Sequence, residues 1–337
     1  MKMTNSEVVV ITGGSAGLGR AIAQEFARHG ARIGLIARDS DRLEHAVREM
    51  GRLGGEAMAL PLDVAHADRL REAADQVEQR FGAIDIWINN AMTTIFAPIV
   101  EITPEEYRRA TEVTYLGTVW GTMTALDKMK PRNRGTIVQV GSALAYRSIP
   151  LQAAYCGAKH AIMGFTDTLR TELIHDQSKI HVTMVQMPAM NTPQFEWCRT
   201  RMPRHPQPVP PIYNPEVAAR AVYWAAHHRR REVYVGISTA GSIIGTKLFP
   251  ALLDHYLGRT GYDSQQSNQR IDPQRPDNLM KPVPGDFGAH GSFDYRAWNW
   301  SPQTWISTHR NLAIAASAAL LSLMFVQRNQ SQRDRRD

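Results

Sequence analysis

Val8-Val9-Val10-Ile11-Thr12-Gly13-Gly14-Ser15-Ala16-Gly17-Leu18-Gly19 reads as a buried strand that passes through a glycine-rich turn into a helix. A helix entered in this way aims backbone N–H groups and the positive end of its dipole at the turn, the arrangement that holds a dinucleotide pyrophosphate. Glycines also serve plain strand-to-helix packing, so the turn alone is weak. Its context is stronger: Thr12-Gly13, three residues, then Gly17-Leu18-Gly19, with a second strand about twenty residues on. Leu18, Ile22 and Phe26 form the i, i+4, i+8 stripe of a helix laid on a sheet, and Gly30 ends it.

Outward from this unit, short β-branched runs alternate with helical patterns. The runs are Val8–Thr12, Ile33–Ala37, Ala57–Leu62, Ile84–Asn89, Thr136–Gly141, Val182–Met187 and Glu232–Val235. Alternation of this kind predicts an α/β fold, a Rossmann-type doubly wound parallel sheet of about seven strands with helices on both faces. Thr103-Pro104-Glu105-Glu106 and Asn214-Pro215-Glu216 write two helix starts, the first with a capping box. Pro188 to Pro211 is proline-rich, carries Phe195, Trp197 and Met202, and reads as a lid over a site.

After Gly236 the alternation stops, so a catalytic domain over 5–240 and a helical and irregular C-terminal extension over 241–337 are expected. Apolar positions at Ile244, Leu248, Leu252 and Tyr256 predict a docked helix over 242–258. Residues 263–304, rich in proline, glycine, asparagine and glutamine, predict an extended or partly disordered segment. The run Leu312–Val326 is uncharged, but as a helix it covers about 22 Å against a hydrocarbon core of about 30 Å. Two readings stay open: an interfacial anchor with Trp300, Trp305 and basic flanks, or a packing helix or oligomer contact.

The 337 residues are 43% apolar and 21% charged, ordinary for a globular chain. The net charge of +7 comes from local clusters such as Arg229, Arg230 and Arg231, with no aromatic-interleaved basic stripe, which argues against a nucleic-acid partner. Cys156 and Cys198 form no disulfide framework and no metal-ligand pattern, so neither a metal nor an oxidising compartment is expected. The polar opening, Met1 to Glu7, lacks a secretory pattern, and a cytoplasmic location is the expectation, with membrane association through 312–326 as the variant.

At the end of the second strand, Ala37-Arg38 stands where an adenosine ribose would lie. An acid there holds a bare 2′-hydroxyl, whereas an arginine grips a 2′-phosphate, so NADP(H) is expected over NAD(H). Asp63-Val64 and Asn89-Asn90-Ala91 end the third and fourth strands, where ligands of open sheets gather, although Asp63 reads equally as a helix cap. Tyr155 and Lys159, four apart, share one helix face, and Ser142 closes an apolar run. A phenol beside an ammonium suits proton transfer to a carbonyl. Working near neutrality calls for lowering the tyrosine from about 10 by about three units, which an ammonium about 4 Å away can supply at an effective dielectric of about 20.

In these motifs, and in Pro188 to Thr192, the chain resembles the short-chain dehydrogenases/reductases over about residues 5–240. The resemblance implies hydride transfer between a nicotinamide and a ketone, aldehyde or secondary alcohol. Tyr155 would be the proton donor, Lys159 would tune it and hold the nicotinamide ribose, and Ser142 would hold the substrate oxygen. The cofactor would lie against Gly13, Ser15, Gly17, Leu18, Gly19, Arg38, Asp63, Val64, Asn90, Ala91, Tyr155, Lys159, Pro188 and Thr192. Three positions depart from the pattern: Ala189 and Met92 where glycines are usual, and Thr114 where an asparagine at a helix kink supports a proton relay to the lysine. Either the relay runs through the Thr114 hydroxyl or carbonyl, or turnover is slow. Leu144, Tyr146, Met190, Phe195 and Trp197 suggest a lipophilic substrate, and the family implies a dimer or tetramer. The rival readings are a non-catalytic NADP-binding sensor or scaffold and, less compatible with the glycine spacing, an epimerase or dehydratase.

Overall fold

The computed structural model describes residues 6–272 and 274–310. The apolar run 312–326 and the basic tail lie outside the described residues. Strands β1 (Val8–Thr12), β2 (Arg32–Ala37), β3 (Glu56–Pro61), β4 (Ile86–Asn89), β5 (Thr136–Val140), β6 (His181–Gln186) and β7 (Glu232–Tyr234) form one parallel sheet in the order β7-β6-β5-β4-β1-β2-β3. Each falls within two residues of its expected run. All residues of β1 and β4 are buried, because helices cover both faces and every side chain along the strand meets a core.

On one face lie α1 (Gly17–Arg28), α2 (Ser40–Arg52) and, later in the chain, Pro215–His227, which bury Phe26, Leu43, Met50 and Val222. On the other lie α3 (Ala67–Phe81) and, beyond it, Gly117–Met129 and Ala153–His175, which bury Leu70, Val77, Met129 and Leu169. Each such side chain contributes about 1.5–3 kcal/mol on burial. The chain reverses direction across the sheet between β1 and β4, whose register pairs Val10 with Trp87 and Ile11 with Ile88. The crevice beyond their carboxyl ends is the switch point where ligands of such sheets bind.

Helix α4 (Pro104–Thr111) starts on the expected capping box, with the Glu106 N–H donating to Thr103 Oγ1 at 3.3 Å and the Thr103 N–H to Glu106 Oε2 at 3.1 Å. It joins α5 (Gly117–Met129) through a π-helical stretch, Glu112–Leu116, so the kink expected near Thr114 is present. After α6 (Ala153–His175) and a single turn, α7 (Gln194–Trp197), comes α8 (Pro215–His227). Proline opens α8 as expected, but the Asn214 side chain does not cap it. Instead it bonds Asn191 at 2.9 Å and Asn299 at 2.7 Å, a tertiary network that outcompetes the local cap.

The extension forms two helices where one was expected over 242–258: α9 (Ile237–Leu248) and α10 (Pro250–Ser264), broken at Phe249 ahead of the proline. Residues 265–301, where described, carry two short strands among turns and irregular stretches, in line with the extended alternative. Gln266–Arg270 pairs antiparallel with Arg204–Pro206, and Ala297–Trp298 runs parallel to Ile212–Tyr213. Leu279 and Phe293 are buried between them. A final short helix, α11 (Pro302–Thr308), ends this part. Among the described residues no helix is long and apolar enough to cross a membrane.

Candidate active site

A cavity of about 600 Å³ lies at the switch point and runs from the glycine turn to α6 and the 188–211 segment. Gly13 has φ +68°, and a Cβ on Gly19 would stand 2.1 Å from the Gly13 carbonyl oxygen, so only glycine lets α1 start this close to the turn. No side chain caps α1, whose N-cap is Ala16, leaving its first turn to face the cavity with a positive end. Ser15, Gly17 and Leu18 line this part. The Thr12 hydroxyl accepts from Asn90 N at 2.9 Å and Ala91 N at 3.1 Å, while Asn90 Nδ2 donates to the Thr12 carbonyl at 3.0 Å. This clamp holds the ends of β1 and β4 in register under the turn.

At the far end the cavity is lined by Arg38, Arg42, Asp63 and Val64. Asp63 accepts from the Ala65 N–H at 3.0 Å and pairs with Arg109. Burial works to raise its pKa, but those two partners hold the carboxyl below the usual range. Arg38 stands at the cavity edge as expected, yet its hydrogen bonds go to the extension: Asn278 O at 2.5 Å, Met280 O at 3.1 Å and Leu279 O at 3.3 Å. Arg42 donates to Gly285 O at 2.7 Å and to Val283 O, and lies 4.9 Å from the Trp197 ring centroid. Sequence patterning singles out neither Arg42 nor Arg109, because their partners are backbone carbonyls and a distant aspartate.

Ser142, Tyr155 and Lys159 converge on the same cavity from the end of β5 and one face of α6. The Ser142 N–H donates to Gln186 Oε1 at 2.8 Å, and its hydroxyl accepts from Leu144 N at 3.1 Å. Gln186 is a fully buried amide at the end of its strand, the one signal that could have marked it as a support for the serine. Its Nε2 donates to Glu232 at 3.3 Å.

Lys159 Nζ donates to the Val140 carbonyl at 2.6 Å and lies 5.5 Å from the Tyr155 ring centroid. Burial lowers its pKa to about 8. Burial also pushes the Tyr155 phenol up to about 12, with hydrogen bonding from Ser142 working the other way. The depressed phenol expected from the sequence is therefore not what the protein provides by itself. Desolvation of the phenol dominates, and the ammonium is tied to Val140 beside the ring.

Thr114 is fully buried, and its hydroxyl both donates to Thr93 O and accepts from Thr93 N, each at 3.1 Å. A relay through that hydroxyl would have to break the bond its single proton makes to Thr93 O. Its carbonyl accepts from the Thr118 hydroxyl at 2.9 Å. Tyr146 does not line the cavity; its hydroxyl donates to Glu232 at 2.7 Å, and burial followed by that carboxylate raises its pKa. Leu144, Met190, Phe195 and Trp197 do line it, with Met92, Pro188, Ala189 and Thr192.

A family model described as short chain dehydrogenase matches residues 7–202. YxnA, an uncharacterized oxidoreductase of Bacillus subtilis, is 29% identical over 324 residues, 95% of this chain and 90% of its own length. A crystal structure of a metagenomic short-chain oxidoreductase in complex with NADP is 27% identical with a TM-score of 0.57, covering 68% of this chain and 96% of that one. An alcohol dehydrogenase of the archaeon Thermococcus sibiricus, complexed with 5-hydroxy-NADP, is 28% identical with a TM-score of 0.58 and the same coverage. YxnA thus aligns across nearly the whole chain, whereas these two structures cover 68% of it.

Proposed function

The chain belongs to the short chain dehydrogenase family, and from that premise we propose that it is an NADP(H)-dependent reductase or dehydrogenase of lipophilic carbonyl compounds or secondary alcohols, with Tyr155 as acid and base. Membership makes it a dehydrogenase/reductase acting on CH–OH or C=O groups with a nicotinamide cofactor. The observation that carries the finer reading is the convergence of Ser142, Tyr155 and Lys159 on the cavity that also holds the start of α1, which no side chain caps.

The residues fit a dinucleotide. The glycine turn admits a pyrophosphate against α1, Asp63 and Val64 flank an adenine position, and Pro188 and Thr192 line the opposite wall. When bound, the nicotinamide gives or accepts the hydride. The protein's part is the proton and the oxygen. Ser142 donates a hydrogen bond to the substrate oxygen, and Tyr155 Oη delivers a proton to that oxygen as the carbonyl is reduced. A phenol held at about 12 stays protonated across the working range, which suits donation. Lys159, still charged below about pH 8, favours the phenolate left behind.

Arg38, bonded only to neutral carbonyls, keeps a positive charge at the adenosine end, which supports NADP(H) over NAD(H). The NADP and 5-hydroxy-NADP in the two similar structures point the same way. Leu144, Met190, Phe195 and Leu257 on the cavity wall favour a lipophilic substrate. NADPH consumption with a panel of ketones, aldehydes and sugars tests this: turnover of lipophilic carbonyls is expected, while turnover confined to small polar sugars contradicts the substrate clause. Tight NADPH binding with no carbonyl consumed would instead support the sensor or scaffold reading. The family also makes a dimer or tetramer the expected assembly, which light scattering measures.

A further inference from the structure

The segment 277–294 of the extension reaches Arg38, Arg42, Arg20, the start of α1 and the Asn191–Thr192 turn. Leu279 is fully buried among Ile95, Ala97, Ala110 and Ala154, which pins the segment beside α4. From that anchor the chain offers the carbonyls of 278, 279 and 280 to Arg38 and those of 283 and 285 to Arg42. Asp286 then pairs with Arg20 at 3.2 Å, and the Gly288 carbonyl accepts the Gly17 N–H of α1 at 2.9 Å. Further on, the Gly291 N–H donates to Asn191 O at 3.3 Å, and a Cβ on Gly291 would stand 2.7 Å from the Thr192 carbonyl oxygen. Asn278 and Pro282 line the same cavity as Arg38, Asp63 and the glycine turn.

The charges around this strap are unevenly matched. Arg20 has Glu49 and Asp286, Arg109 has Asp63, and Arg42 has Asp39 at 3.6 Å. The hydrogen bonds of Arg38 go to backbone carbonyls alone, which fix the plane of its guanidinium, and Asp63, which is hydrogen-bonded to Arg109, offsets its charge only from a distance. A fixed guanidinium with no carboxylate hydrogen-bonded to it is a receptor for a phosphate.

We propose that residues 277–294 are the outer wall of the adenosine half of the cofactor site: the strap positions Arg38 for the 2′-phosphate of NADP(H) and must lift before the cofactor can leave. This rests on the reading of the groove as an NADP(H) site. The strap residues act through Arg38 and through closure, so they are positioning residues.

The test is stopped-flow displacement of NADPH and NADH from the full chain, with hydrogen exchange of the strap amides. In the wild type, NADPH should slow exchange across 278–288 more than NADH does. Leu279→Ala, which frees the anchor, should speed NADPH dissociation by about tenfold or more and lower the NADPH-to-NADH affinity ratio by a similar factor. Asp286→Asn, at the strap's surface tie to Arg20, should act in the same direction and less strongly, and it serves if the first variant does not fold. Unchanged dissociation rates in both folded variants would overturn the proposal, as would equal losses for both dinucleotides or strap exchange indifferent to NADPH. A wild type that binds neither dinucleotide would overturn the reading of the groove, and the strap's role with it.

Discussion

Lys159 and Tyr155 sit close together in a site that burial has pulled in opposite directions. The lysine's pKa is lowered to about 8, so its ammonium is present below that pH and lost above it, while the phenol, at about 12, keeps its proton throughout. Carbonyl reduction should therefore lose kcat/KM as pH rises through about 8, and a pH–rate profile checks this. Lys159→Arg, whose guanidinium does not titrate in this range, should move that alkaline fall upward whatever it does to the absolute rate; a fall left at the same pH would assign it to another group. At the other end of the groove, Arg38→Asp should weaken NADPH by about 1.5–3 kcal/mol, ten- to a hundredfold, and NADH much less, measured by fluorescence titration. Equal losses would remove Arg38 from cofactor choice.

Among the elements, the start of α1 and the strap differ most in how readily the sequence shows them. The glycine turn is written in the sequence because close approach leaves no alternative residue: Gly19→Ala would place a methyl 2.1 Å from Gly13 O and 2.6 Å from Asn90 Nδ2. That variant should lose at least about 1–3 kcal/mol of stability by thermal unfolding, with dinucleotide binding falling alongside. Ordinary stability and binding would mean that the turn tolerates a side chain and does not cradle a pyrophosphate. Seven strands were legible for a related reason, since burial on both faces makes each an apolar run. The strap was not. Its grip is arginine to backbone carbonyl across more than two hundred residues, and such contacts leave no periodicity in the strap's own composition. Residues rich in proline, glycine and asparagine therefore predicted an extended or partly disordered segment, with nothing to show which tertiary hydrogen bonds would hold it. Tyr146 illustrates the converse: position suggested a pocket residue, but a carboxylate two strands away claimed its hydroxyl.

At the scale of the whole molecule, the seven-stranded sheet, the apolar cores on its two faces and the C-terminal extension meet around the cavity of about 600 Å³, so a bound dinucleotide should stabilise all of it at once. Saturating NADPH, at about a hundred times Kd, adds about 2.7 kcal/mol to unfolding and should raise Tm by several degrees in a thermal scan. The trio Ser142, Tyr155 and Lys159 was legible because its spacing along α6 and its place after a strand are sequence facts; Gln186, which holds Ser142, was not, because a glutamine at a strand end reveals its partner only once folded. The account stands on proton delivery from Tyr155 in a site that binds NADP(H) independently of it. Its most direct measurement compares wild type and Tyr155→Phe for NADPH affinity by fluorescence and for NADPH oxidation by an accepted carbonyl. The prediction is affinity unchanged within about threefold and a turnover loss of about 10²–10⁴; near-normal turnover in the phenylalanine variant would contradict it.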